Sequence, residues 1–167
     1  GLPSPILQGP GSGLTKHFFF PGFQTGTGGL LREADLLQAQ ARFDRQAWLA
    51  QFGVAWQGRQ LISLFCYEPK GLPQLLHSLA SAEQATCLLV THGRASAAVR
   101  RIIMDKNQLQ PLWNERQMLT IFYLPQLSQL DYDHLLWACD VNFVRGEDSL
   151  VRALWAGKAL VWQIYPQ

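Results

Sequence analysis

Charge is scarce in this sequence of 167 residues: 16% of the chain is Asp, Glu, Lys or Arg, and the formal net charge is +2. Lys and Arg are scattered, with Arg100-Arg101 the only adjacent pair. No basic stripe that could follow a phosphate backbone is visible, so no nucleic-acid partner is expected. No apolar run reaches the ~18 residues needed to cross a bilayer, and no signal-peptide pattern is present. No membrane partner is expected either. Cysteine is limited to Cys66, Cys87 and Cys139, an odd and widely spaced set, each inside or beside an apolar segment. They read as reduced, buried small hydrophobes, against a disulfide framework or a zinc site. His17, His77 and His134 show no ligand spacing with a second metal-binding side chain. His92 alone follows a strand closely enough to suggest a base. No Ser–His–Asp order or nucleophile elbow can be read. The glycine loop QTGTGG at residues 24–29 lacks the Gly-Lys-Ser/Thr ending of a phosphate-cradling loop, and a plain turn is the simpler reading.

What is present is apolar pattern, with a hydrophobic fraction of 48%. Such a composition suits a globular α/β protein with a substantial core. Residues 1–13 form a Gly/Pro-rich stretch, and KHFFF at 16–20 suggests a short strand. Residues 30–52 read as helical, with a break at Asp44 or Gln46 and a stop at Gly53. Nothing in this segment pairs regularly with the residues after it, which places a domain boundary near residues 56–58.

From residue 61 the pattern becomes regular. Continuous, mainly apolar runs of strand length at 61–67, 87–91 and 118–124 alternate with helical periodicity at 73–80, 95–104 and 127–138. A final unit completes the chain: strand 141–144, turn 145–149, a short helix ended by Gly157, and a buried strand 159–164. Leu150, Val151, Leu154 and Trp155 are expected on the buried face of that helix. Apolar strands alternating with helices predict a Rossmann-like parallel sheet with helices on both faces. Crossovers of one hand then bring Tyr67-Glu68, His92-Gly93-Arg94, residues 125–133 and residues 145–149 to one edge, where open α/β sheets bind ligands.

The 145–149 turn, Arg-Gly-Glu-Asp-Ser, has the most chemistry. Arg145 can clamp a phosphate through two parallel hydrogen bonds. The backbone N–H groups of Asp148 and Ser149 would aim at the same anion from a helix N-terminus. Glu147 and Asp148 repel phosphate, so they call for sugar hydroxyls or a cationic acceptor. A plain reading stands beside this one: acidic residues favour a first helical turn, and Asp148 with Arg152 would form an i,i+4 pair. Phe65, Tyr67 and Tyr132 could stack on a nucleobase. Phe65 is assigned to the core, and Tyr67, nearer its strand end, to the ligand.

The run DVNFVRGEDSLVRALWAGKALVWQIYPQ closes the chain. Earlier come GLPSP, KHFFFPGF followed by GGLLRE, LFCYE and DYDHLLWACD. Together these resemble, in order and over most of the chain, the protein-arginine rhamnosyltransferases that modify bacterial elongation factor P. The resemblance implies an inverting glycosyltransferase of two-domain GT-B architecture, with dTDP-β-L-rhamnose as donor and an arginine of elongation factor P as acceptor. It implies a cytoplasmic enzyme with no cofactor and no metal. Residues 1–57 would end the acceptor-side domain, and 58–167 would form most of the donor-binding domain. Tyr67, Gln129, Tyr132, Arg145, Glu147, Asp148 and Ser149 resemble donor-binding positions, and Glu147 also a glutamate required for catalysis. Gln126 stands where some members have an aromatic residue, and Gln163 where a histidine is expected in some relatives. The family's aspartate base would lie in a preceding part. With no initiating Met, and a close on Tyr165-Pro166-Gln167 directly after an apolar strand, the sequence reads as a piece of a longer protein, inactive by itself. Without the resemblance, two other readings stay open: a non-catalytic nucleotide- or protein-binding module, and a nucleotide-sugar transferase with another acceptor.

Overall fold

A computed structural model describes residues 32–164. The strand expected at 16–20 and the glycine loop at 24–29 lie outside these residues. The chain divides into two compact units, Gly1–Gln38 and Ala39–Gln167. Of the first, residues 32–38 are described, and they include the start of α1 (Leu36–Ala41).

The second unit is built on five parallel strands: β1 (Gln60–Leu64), β2 (Thr86–Val90), β3 (Leu119–Tyr123), β4 (Val141–Arg145) and β5 (Ala159–Gln163). Their spatial order is β3-β2-β1-β4-β5. Helices alternate with them: α2 (Arg45–Gln51) precedes β1, and α3 (Leu72–Ser81), α4 (Arg94–Leu109), α5 (Gln129–Ala138) and α6 (Glu147–Ala156) follow the first four strands. This is the expected Rossmann-like arrangement. Strand alternation divides the core in two. Ile62, Leu64, Leu88 and Val90 pack with Leu72, Leu76 and Val99 of α3 and α4. Leu61, Cys87 and Leu89 pack with Leu135 and Ala138 of α5 and with Trp48 and Leu49 of α2. Full burial of each such leucine contributes about 1.5–3 kcal/mol.

Local signals set the element ends. Asp44 caps α2, accepting the Ala47 N–H at 3.0 Å, so the break expected at Asp44 or Gln46 falls at Asp44. Proline sits in the first turn of α3, where its missing N–H leaves no bond unmade. Gly157 ends α6 in the left-handed region, at φ 67°.

Four expectations differ from the observed fold. The compact unit begins at Ala39, ahead of the boundary expected near 56–58, because α2 packs on the sheet. Arg45 of α2 pairs with Asp140 at 3.0 Å. The partners of α2 lie on α5 and β1, too far along the chain to show as periodicity. On α6 the buried residues are Ala153 and Ala156, while Leu154 is 49% exposed. Small side chains let that helix approach its neighbours closely, which moves the contact line off the larger residues. The strand β5, expected to be buried, has Val161 47% and Trp162 42% exposed; these neighbours point to opposite faces of the sheet, so both faces are thinly covered at this edge strand. Finally, Arg152 pairs with Asp133 at 2.6 Å, not with Asp148.

Candidate functional site

The strand β1 lies between β2 and β4, and the chain proceeds from it in opposite directions on its two sides. The loops leaving β1 and β4 therefore diverge at their carboxyl ends and open a crevice, the switch point at which parallel sheets hold ligands.

After β1, Phe65 keeps the pairing going by donating its N–H to the Phe143 carbonyl at 2.9 Å. Tyr67 donates its N–H to the Gln163 side-chain oxygen at 2.9 Å, which ties this segment to β5. Cys66 points the other way and is buried. Burial pushes its thiol up to about 11, although Arg145 pulls in the opposite direction. A neutral thiol of this kind is no nucleophile at physiological pH.

Arg145 closes β4, and its guanidinium lies 4.5 Å from the Phe65 ring centroid and 4.2 Å from that of Tyr67. Stacking on aromatic faces uses the flat side of the guanidinium and leaves its N–H edge for an anion. Gly146 follows at φ 69° and ψ 175°, a conformation that a side chain would strain. Its carbonyl accepts from Trp162 Nε1 at 3.1 Å. The helix α6 then begins directly at Glu147, with no side chain capping its first N–H groups. Those N–H groups and the positive end of the helix dipole face the crevice mouth.

Two adjoining cavities result. One, of about 500 Å³, is lined by Tyr67, Arg94, Arg145, Gly146 and Glu147, together with Phe65, Asp148 and Ser149. The other, of about 440 Å³, shares those last three and adds Thr91, His92, residues 125–129 and Tyr132. The first is charged, and the second is walled by Phe65 and Tyr132, whose rings meet edge to face at 5.6 Å. The Tyr132 hydroxyl is buried with no completed hydrogen bond. Burial raises its pKa to about 12, and the Ser149 hydroxyl, nearby, pulls it part of the way back. Opposite, Ser128 caps α5 by accepting the Asp131 N–H at 3.1 Å, which fixes the approach of the 125–128 segment.

All seven residues singled out in the sequence therefore line these cavities: Tyr67, Arg145 and Glu147 the charged one, Gln129 and Tyr132 the aromatic one, and Asp148 and Ser149 both. Sequence reasoning weighed Phe65 as a stacking wall but assigned it to the core, and it placed Arg94 at the ligand edge without giving it a role. Phe65 reads as core in the sequence, although its place two residues before Tyr67 puts both on one strand face. Arg94 opens α4 beside Gly93, at φ 91°, and the structure shows that it lines the same cavity as Arg145. Gln126 lines the aromatic cavity where a ring would extend the wall. Among the described residues, no group of three or more His, Cys, Asp or Glu is placed to hold a metal ion. No helix there is long and apolar enough to cross a membrane.

A flat-walled chamber joined to one that holds two guanidinium groups and a helix N-terminus, with the Asp148 carboxylate at the join, suits a nucleoside diphosphate carrying a further group. The whole chain, residues 1–167, matches the family model described as elongation-factor P (EF-P) rhamnosyltransferase EarP. The chain belongs to the EarP family. A protein-arginine rhamnosyltransferase of Pseudomonas aeruginosa is 47% identical over 169 residues, covering 98% of this chain and 44% of the relative. Relatives of the same name from Shewanella oneidensis and Neisseria meningitidis are 35% and 32% identical over 97% or more of the chain, and 44% and 43% of their own lengths. A solved structure described as the structural basis for EarP-mediated arginine glycosylation of translation elongation factor EF-P superposes with a TM-score of 0.76 at 45% identity. It covers 89% of this chain and 50% of that one. The chain spans less than half the length of the curated relatives it matches, and the switch-point crevice lies within that span.

Proposed function

We propose that this chain is the donor-binding half of an inverting GT-B rhamnosyltransferase that transfers rhamnose from dTDP-β-L-rhamnose to an arginine of elongation factor P. In this reading residues 58–167, with the α2 segment that packs on their sheet, belong to the nucleotide-sugar domain, the residues before them end the acceptor-side domain, and the whole enzyme works in the cytoplasm without a metal. Membership of the EarP family supports the reading. The observation that carries it is the position of Arg145, stacked on Phe65 and Tyr67 beside Glu147 and the start of α6.

The base stacks in the aromatic cavity on Phe65 and Tyr132, with Gln129 at its edge. The diphosphate lies against Arg145, Arg94, the Ser149 hydroxyl and the first N–H groups of α6. Negative charge grows on the diphosphate as the glycosidic bond breaks, and donors already fixed in place stabilise it without reorganising. The acceptor poses the harder problem. A guanidinium is protonated at neutral pH and its nitrogen lone pairs are delocalised, so it is a poor nucleophile. Carboxylates must orient it and take up a proton during attack. Glu147 supplies one in the charged cavity, next to Asp148 at the join, and a second is expected from the part of the enzyme that precedes this sequence.

Calorimetric titration of the full-length enzyme with dTDP-rhamnose and with UDP-glucose tests the reading. Saturable binding of dTDP-rhamnose, with UDP-glucose much weaker, is expected. Equal affinity, or no binding of either, contradicts it.

A further inference from the structure

Gln129 opens α5, and Asp133 stands one helical turn later on the same face. Asp133 is 8% exposed and accepts from Arg152 Nη1 of α6 at 2.6 Å. With its amide turned so that both groups are satisfied, Gln129 accepts from the same guanidinium, through Nε and through Nη2 at 3.2 Å. A guanidinium offers only donors, so the amide group beside it must present its oxygen. The NH₂ end of Gln129 is then turned away from Arg152, in a residue that lines the aromatic cavity. An amide free to flip could accept or donate at that wall. This one can only donate.

We infer that Asp133 and Arg152 are positioning residues that hold Gln129 as a fixed hydrogen-bond donor, so that the cavity selects a nucleobase presenting an oxygen over one presenting an exocyclic amine. The inference rests on the reading of this cavity as the nucleoside pocket. Asp133 holds the guanidinium, the guanidinium holds the amide oxygen, and the amide NH₂ meets the ligand. Because Arg152 sits three residues after Ser149 on α6, and Gln129 three residues before Tyr132 on α5, the same tie keeps both walls of the cavity in register. A mere staple between two helices would stabilise the fold without affecting which base binds.

The test uses full-length enzyme and a pair of nucleotides, dUDP and dCDP, whose bases differ by a keto group against an amine at C4 and by N3–H against a bare N3 beside it, with dTDP as reference. Calorimetry gives the affinity ratio for wild type, for the double variant Asp133→Asn with Arg152→Met, which removes both charges together, and for Gln129→Glu. Wild type is expected to favour dUDP. In the double variant the preference should fall about tenfold, the effect of one mismatched hydrogen bond, because the amide can then turn over. Gln129→Glu keeps a partner for Arg152 but offers the cavity only acceptors, and it should reverse the order. This second variant stands alone if the first does not fold. A ratio near one in wild type, or a ratio unchanged in the folded variants while dTDP still binds, overturns the inference and leaves the donor-site reading intact. Failure of wild type to bind any of the three nucleotides overturns both.

Discussion

The guanidinium of Arg145 lies 4.2 Å from the ring centroid of Tyr67, and Tyr67 is itself held through its backbone N–H by Gln163 on the neighbouring strand. The cation is thus oriented by a ring that is anchored elsewhere. Replacing Arg145 by Ala should weaken dTDP binding to the full-length enzyme by about 1.5–3 kcal/mol, the range for a hydrogen bond to a charged group. Lys should not restore it, since an ammonium neither stacks flat nor bonds in a fork. Calorimetry decides: wild-type affinity in either variant contradicts the phosphate role.

A second expectation concerns the sheet beneath the crevice. Asn142 is fully buried, accepts from the Ser63 hydroxyl at 2.6 Å and donates to the Leu136 carbonyl at 3.0 Å. That carbonyl lies in the last turn of α5, where helical carbonyls need outside partners. Asn142→Ala leaves two buried polar groups unpaired and should cost about 2–4 kcal/mol. Urea denaturation of both proteins measures it, and a loss below ~1 kcal/mol would show that the pair is dispensable.

The Tyr132 hydroxyl presents the opposite case, being buried without a completed hydrogen bond. Tyr132→Phe removes a group that gains nothing from burial while keeping the ring, so stability should hold or rise by up to ~1 kcal/mol. Nucleotide affinity should change little, because the stacking face remains. A large loss of dTDP affinity would assign the hydroxyl to the ligand instead.

Asp131 gives a pH signature. The Ser128 hydroxyl, and more weakly the Trp48 indole N–H, hold its carboxyl below the ordinary aspartate value against the opposing effect of burial. A depressed carboxylate stabilises the fold above its unfolded pKa, near ~3.9, and loses that contribution as pH falls through its folded value. The melting temperature of Asp131→Asn should therefore lie below wild type at pH 7. The gap should close at strongly acidic pH. A gap independent of pH would remove Asp131 from the linkage.

The fold was legible because every strand from 60 to 145 is a largely apolar run bounded by turn residues, a pattern that a sheet covered on both faces sustains. The site was legible for a different reason. Chain order in an alternating α/β sequence brings the strand-to-helix loops to one edge, so the sequence alone places Tyr67, residues 125–133 and 145–149 together. Relations set by side-chain size and by distant partners stayed hidden. No local pattern marks Ala153 and Ala156, rather than Leu154, as the contact line of α6. Nothing near Arg152 in sequence announces Asp133, because the pair joins two helices with a strand between them. The Asp148–Arg152 pair offered by simple spacing yielded to a less exposed carboxylate on α5. Phe65 was misplaced because an aromatic in an apolar run looks like core until the strand is known to end at Leu64, one residue earlier.

The central claim is that the 145–149 turn both holds the donor and supplies a catalytic carboxylate. Rhamnose transfer to elongation factor P by full-length Glu147→Gln, measured beside its dTDP-rhamnose affinity, tests this most directly. Turnover should fall by about 10²–10⁴-fold, the usual contribution of a positioned acid or base. Donor affinity should stay close to wild type. Unchanged turnover, or a loss explained wholly by weaker donor binding, would contradict the catalytic role of Glu147.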